Sequence, residues 1–545
     1  MEKLSGQDDV QDKSSLSDRN LQNVISLEHG TQHAVNNESL HRGFKPRHSQ
    51  MIALGGAIGT SIFIGTAQVL RIGGPLFLVL GYSFLCILVY LIMTGLAEIA
   101  AYLPVQGGTM SFYGSKYISR SMGFALGYLY WYSLGILIPY ELVASTLLID
   151  YWGSTSVSPA VFVTAILVVI VLVNFLPVQY FGETEFWAAG MKVVLIVGLC
   201  FLSFILFLGG GPNHDRIGFR YWQHPGPTNT YLAEGDAGRF VALLQCVVLG
   251  SFAFVLAPEY VIVTAGEMES PRSNVPRAAQ RYIWRFIILF IPTVLSISVL
   301  VPYDDERLAA SGTARSPFVI AIKEAGIPVL DSIVNSMIML SAITAGNSFL
   351  YQSSRNLYSL AVTGDAPAIF KRTNKHGLPW VAVLASTAFT PLAYLSLGST
   401  SLTVFNWLIN ITNTSGFVSW ICCGWIYNRF RKAVEHHGVE VPYRSPFQPY
   451  GIYFGGITSV FLLFLNGFTV FFPDKWAVGD FLSAYIGIPV FLVIYLGHRV
   501  YARQDPWARN TAEIDMFAGL DEVLAAEKPR RTRGAIGRVL FALIE

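Results

Sequence analysis

Chemistry in this chain is concentrated where polar and ionisable residues interrupt apolar runs. Thr60 and Ser61 stand in ALGGAIGTSIFIG, from Ala53 to Gly65, among Gly55, Gly56, Gly59 and Gly65. Glu259 directly follows Pro258 in SFAFVLAPEYVIVTAGE, from Ser251 to Glu267. Lys192 lies in FWAAGMKVVLIVG and Glu141 in PYELVAS. These residue types suit recognition and proton carriage. A helix holding several glycines is easily broken, each costing about 1 kcal/mol relative to alanine. The half-helix that begins after a break presents N–H groups and a positive dipole to a carboxylate. Carbonyls freed at a break accept hydrogen bonds from an ammonium group. An acid at mid-membrane depth is expensive and marks function by default. Each residue also has a plainer reading: small-residue helix packing for the glycines, capping of freed amides for Glu259, and snorkelling for Lys192.

The elements that must position these residues are membrane helices. The chain has 545 residues, 53% hydrophobic and 13% charged, against about 25% charged in a soluble protein. A spanning helix needs about 20 mostly apolar residues. Such runs lie near 50–71, 76–101, 122–149, 159–177, 187–208, 240–264, 283–302, 329–354, 380–397, 404–427, 452–472 and 483–501. They predict an all-α integral membrane protein of twelve transmembrane helices. Net charge is +2, which offers nucleic acid no basic surface. The five cysteines, Cys86, Cys200, Cys246, Cys422 and Cys423, sit in apolar segments without zinc spacing, so no metal, cofactor or disulfide framework is expected. No phosphate-binding glycine loop or soluble catalytic domain is visible, which argues against an enzyme.

Arginine and lysine fall on alternate loops: Lys116 and Arg120; Arg272, Arg277 and Arg281; Lys371, Arg372 and Lys375; Arg429, Arg431 and Lys432. With Arg42, Lys45 and Arg47 ahead of the first span, the positive-inside rule places both termini in the cytoplasm. Three regions follow: a polar, disordered N-terminal tail over 1–48, a transporter domain over 49–505, and a C-terminal tail over 506–545. The tails are expected to meet trafficking or ubiquitin machinery, and the helices membrane lipid. An amphipathic piece, Gly534 to Ile544, suits either a membrane surface or a lightly docked tail.

The broken first span and the Pro258-interrupted sixth stand at corresponding positions of two five-helix halves, about 49–208 and 240–427, with peripheral helices over 452–501. Paired interruptions of this kind point to an inverted-repeat secondary transporter with its substrate between the breaks. A zwitterionic amino acid matches an amide-rich end facing free carbonyls.

HRGFKPRHSQMIALGGAIGTSIFIG resembles the start of the fungal amino-acid permeases of the amino-acid–polyamine–organocation superfamily. GYLYWYSLGILIPYELVAS, AGEMESPRSNVPRA, GNSFLYQSSRNLYSLA and YRSPFQPYG agree in order, over roughly residues 41–505. The resemblance implies a LeuT-like fold of two inverted five-helix repeats with spans 1 and 6 broken. It also implies proton-coupled uptake of an amino acid across the plasma membrane by alternating access. The family's first break usually reads IGTGLF; here it is Ile58, Gly59, Thr60, Ser61, Ile62 and Phe63, and the Thr60 to Ile62 backbone would receive the substrate carboxylate. At the second break Phe252, Ala253, Phe254, Leu256 and Glu259 match the substrate site, but Ala257 and Pro258 replace the family's glycine and its neighbour. These departures leave the identity of the substrate open. A lysine in span 5 of some relatives stands where others bind sodium, so Lys192 is a candidate for proton coupling, with Glu259 beside it.

Other polar residues are candidates for gating or structure. Glu141 is expected to pair inside the bundle or at its outer vestibule, and Glu267 with Arg272 to form a cytoplasmic gate. Asn347, Tyr351 and Ser354 share a helical face that lines the pathway or glues helices together. Asn406, Asn410 and Asn413 make a similar stripe, and Tyr128 and Trp131 are candidate gates. Two alternatives to amino-acid import stay open: a permease for choline or a polyamine, and an amino-acid sensor that does not transport.

Overall fold

The structure is a computed structural model that describes residues 59–525, apart from 105–108, 154–156, 260–261, 263–264, 266–270, 309–315, 376 and 399. Ile58, Glu267, the 1–48 tail and the 534–544 piece lie outside the described residues. Every element among the described residues is helical. A π-helical turn, Ser61–Gly65, leads into α1 (Thr66–Tyr102). Then come α2 (Arg120–Ile149), α3 (Pro159–Asn174), α4 (Val178–Leu208) and α5 (Gly235–Gly250). The second part holds α6 (Pro271–Leu300), α7 (Pro317–Glu324), α8 (Leu330–Val362), α9 (Trp380–Thr387) and α10 (Ser401–His437). Last are α11 (Tyr450–Leu465), α12 (Val478–Tyr485) and α13 (Gly487–Tyr501).

Seven of the described helices are long and apolar enough to cross a membrane, or eight if α12 and α13, bent by 44°, are one span. The chain is an integral membrane protein. Length and hydropathy thus single out fewer crossings than the twelve expected, for visible reasons. The first two expected spans fuse into Ser61–Tyr102. Its 37-residue helix α1 would be about 55 Å long, well beyond a hydrocarbon core of about 30 Å. It is broken at Gly74, with φ 78° and ψ 179°, beside Pro75. The loop before α5 satisfies the freed groups: Leu76 N donates to Pro227 O at 2.9 Å and Asn229 N to Gly73 O at 3.0 Å. An added Cβ at Gly74 would lie 3.1 Å from Pro227 O, so the turn leaves no space for a side chain. Helices α3 and α11 are apolar but short.

Sequence dictates the local ends. Ser119 Oγ accepts from Met122 N at 3.2 Å and caps α2, and Thr400 Oγ1 accepts from Thr403 N at 3.2 Å and caps α10, each satisfying an otherwise orphaned amide. Helix α2 is the central post, packed against α8, α10 and α13, while α1 packs against α5, α6 and α11. Helix α4 shows how an apolar run can bury charge. Trp187, Val194 and Phe201, seven residues apart, are 72%, 69% and 67% exposed, whereas Glu185 and Lys192 on the opposite face are fully buried. Two helical turns nearly complete seven residues, so one face suits lipid and the other the bundle interior.

The end of the chain is docked across one end of the bundle. Asp505 Oδ2 accepts from Ser121 N at 2.8 Å and from Ser121 Oγ at 2.6 Å. Arg509 N donates to Ile118 O at 2.8 Å, and Tyr102 Oη to Met516 O at 2.8 Å. Ile514 and Met516 are buried. The described part of the tail is therefore a strap across the starts and ends of α1, α2 and α10.

Candidate functional site

The two expected breaks meet: the Ser61–Gly65 turn touches the 3-10 turn Ser251–Phe254. Phe63 N and Ile64 N both donate to Thr60 O, at 3.1 and 2.8 Å. Ser61 and Ile62 form the start of that turn. Thr60 Oγ1 lies 3.1 Å from the Tyr140 hydroxyl and donates to Glu141 Oε2 at 2.9 Å. Gly59 makes this possible, since an added Cβ would stand 2.8 Å from Glu141 Oε1. Ser61 and Ile62 are buried beside them.

The second break falls earlier than Pro258. Helix α5 ends at Gly250 and the following turn at Phe254; Val255 then turns extended, with φ −56° and ψ 131°. Leu256 has a positive φ of 61°, a conformation that costs a non-glycine residue about 1–3 kcal/mol. Pro258 restrains only Ala257, the residue before it, and so adds to a break already made at Val255 and Leu256. Phe252 packs on Tyr140 with ring centroids 4.6 Å apart, and Tyr140 stacks on Phe405 at 4.7 Å. Ala253 is buried beside Phe252. Phe254 takes a different place, in an aromatic cluster with Tyr82 at 5.9 Å and Phe290 at 4.9 Å.

Glu259 is 4% exposed. Its Oε1 accepts from Ser419 Oγ at 2.5 Å and from the Tyr130 hydroxyl at 3.4 Å, and those two hydroxyls lie 2.6 Å apart. Oε2 has no hydrogen-bond partner among the described residues. Lys192 is fully buried, which excludes snorkelling. Two carboxylates act on it, Glu185 from its own helix and Glu141 from α2.

The remaining candidates separate into glue and closure. Asn347 accepts at Oδ1 from Asn174 Nδ2 at 2.8 Å and so ties α8 to α3. Tyr351 stacks on Phe181 at 4.1 Å, with the Arg355 guanidinium 4.8 Å above its ring. Asn413 Nδ2 donates to Val248 O at 3.0 Å, just ahead of the second break. Tyr128 donates to Asp365 O at 3.2 Å, and the Trp131 indole to Ser386 Oγ at 3.1 Å. Both belong to a smaller cluster with Leu357 and Ala382. Arg272 lines a cleft of about 620 Å³ with Arg277, Gln280 and Tyr443.

On the opposite face from the strap, α7 leans on the Ser61–Gly65 turn. Its loop is clasped by Arg307, which donates to Asp305 Oδ2 at 2.5 Å and also pairs with Glu324. That hydrogen-bonded guanidinium holds the Asp305 carboxyl below the usual aspartate range.

Sequence reading missed Glu185, Tyr130, Tyr140 and Ser419. Glu185 carried a signal: it lies seven residues before Lys192 and therefore on the same helical face. Nothing local in the sequence marks Tyr130 and Ser419, which come together only by packing of α2 on α10.

The sequence profile of the amino acid permease family matches residues 48–508. A proline-specific permease of Emericella nidulans is 44% identical over 490 residues, covering 88% of this chain and 89% of that protein. A proline-specific permease of Saccharomyces cerevisiae is 42% identical, covering 89% of this chain and 79% of its own. A dicarboxylic amino acid permease of the same yeast is 39% identical, covering 88% and 80%.

Proposed function

The chain belongs to the amino acid permease family, and from that premise we propose that it imports proline, or a close neutral analogue, by proton symport. Its relatives are transporters and not enzymes, and its substrate is an amino acid. The observation that carries the finer reading is the meeting of the two breaks around Thr60, Tyr140 and Phe252. The substrate carboxylate rests on the amides of Ser61 and Ile62, at the positive end of the half-helix. A pyrrolidine ring packs on the Phe252–Tyr140 wall. The protonated amine donates to carbonyls freed near Val255, and Glu259 Oε2 offers a further acceptor. Relatives named for proline support this substrate over a basic or acidic amino acid.

Proton coupling rests on Lys192 and its two carboxylates. Two acids facing one amine in a dry site leave the cluster one proton short of neutrality. A proton taken up with substrate restores the balance before the site crosses the low-dielectric interior. Alternating access then exchanges one accessible face for the other around the paired breaks. The LeuT-like twelve-helix arrangement, a plasma-membrane location and cytoplasmic termini belong to the same reading.

Uptake of labelled L-proline in a fungal host lacking its own proline permeases tests it. Transport is expected, with competition by neutral imino acids and little by lysine, glutamate, choline or a polyamine, and a protonophore is expected to abolish accumulation. Uptake unchanged by the protonophore overturns symport; competition by choline alone overturns the amino-acid site.

A further inference from the structure

We propose that Glu185 is the release site for the coupled proton, receiving it from Lys192 and passing it to water at the strap-bearing end of the bundle. This inference rests on the symport reading above. Glu185 is fully buried in a helix whose other face is apolar and exposed. Neither carboxylate oxygen makes a hydrogen bond among the described residues. A structural carboxylate that deep is normally saturated with donors, because an unpaired buried charge is strongly unfavourable. Lys192 is the charged group acting on it, and the Ser348 hydroxyl of α8 faces it without closing a bond of normal length. No charge from α6 acts on it among the described residues.

Its position along the helix suits release. Seven residues separate Glu185 from Lys192, about 10 Å of helix rise, which two flexible side chains can bridge. Lys192 also feels Glu141, which Thr60 of the first break hydrogen-bonds directly. A chain of proton-bearing groups therefore runs from the substrate break through Glu141 and Lys192 to Glu185. Glu185 is nearer the α4 end that follows α3, the end that the positive-inside pattern places in the cytoplasm. One turn further toward that end, Phe181 stacks on Tyr351 at 4.1 Å and Arg355 covers the ring. In this scheme that stack is the barrier between Glu185 and the water on that side.

The step is balanced. An N–H bond of the Lys192 ammonium breaks and an O–H bond forms on Glu185, so an ion pair becomes a neutral amine and a neutral acid. When the Phe181–Tyr351 stack parts, the Glu185 O–H proton passes to water and the carboxylate returns. Lys192 takes its next proton from the opposite side, with the next substrate.

Purified full-length chain in proteoliposomes tests this with labelled L-proline and two readouts. One is accumulation driven by an inward pH gradient, and the other is counterflow exchange without a gradient. For Glu185→Gln, accumulation under a one-unit gradient is expected to fall about tenfold, the ratio one coupled proton supports, while exchange persists and loses its pH dependence. Glu185→Asp is expected to restore gradient-driven accumulation. Accumulation by Glu185→Gln equal to that of the parent overturns the proposal. So does equal loss of both readouts in Glu185→Gln and Glu185→Asp with the thermal midpoint lowered, because a structural role then suffices. A parent chain that exchanges L-proline but ignores the gradient overturns the symport reading itself, and one that does not exchange L-proline overturns the substrate assignment.

Discussion

Thr60 ties the first break to α2 through one hydroxyl, placed between Tyr140 and Glu141. Thr60→Ala leaves a buried carboxylate short of a donor, at a cost of about 1–3 kcal/mol. The Michaelis constant for L-proline uptake is expected to rise about 5- to 100-fold, while Thr60→Ser stays near the parent; kinetics normalised to surface expression check this. Leu256 makes a second residue-scale claim. Its φ of 61° is worse still for a β-branched side chain. Leu256→Ile is expected to lose about 1 kcal/mol or more of stability, read as a lower thermal midpoint in detergent. The strain at Leu256 was not legible in the sequence, because Pro258 drew attention two residues too late.

Helix packing decides the next scale. An added Cβ at Gly135 in α2 would lie 2.3 Å from the Phe389 ring, whereas one at Gly198 in α4 meets nothing within 4 Å. Gly135→Ala is therefore expected to destabilise by about 1–3 kcal/mol through overpacking. Gly198→Ala should stabilise by about 0.5–1 kcal/mol through helix propensity. Opposite shifts of the thermal midpoint check the pair. The loop carrying α7 adds a pH test. Arg307 lowers the Asp305 carboxyl, so its contribution is complete above the ordinary aspartate value of about 4. It is lost as pH falls through Asp305's own lower value. Protease cleavage of this loop should accelerate only in that acidic window, and Asp305→Asn should remove the dependence.

At the scale of the whole molecule, the strap at the end of the chain matters most. The sequence suggested a solvated or lightly docked tail over roughly 510–545; in its described part Ile514 and Met516 are buried, and just ahead of it Asp505 binds the start of α2. Asp505→Ala removes acceptors from two adjacent amides and a hydroxyl, comparable to losing a helix cap worth about 0.5–2 kcal/mol. It is expected to lower the thermal midpoint and loosen the strap, which proteolysis near 505–520 would report. The strap uses short polar residues in a stretch with no helical periodicity, so nothing in the chain's local pattern announces it.

Composition alone determined that this is a helical membrane protein, because apolar runs of spanning length have no other stable home. Glycine and proline act on their own backbone and so marked the neighbourhood of the breaks, but the second one lies ahead of Pro258, at Val255 and Leu256. The tertiary structure decided which partners the buried charges have. Lys192 reads from sequence as either a coupler or a snorkelling residue, and only packing of α4 against α6 and α8 closes it off from water. Glu185 gains meaning in the same way: charge interactions depend on burial and distance, and neither is a property of one helix alone.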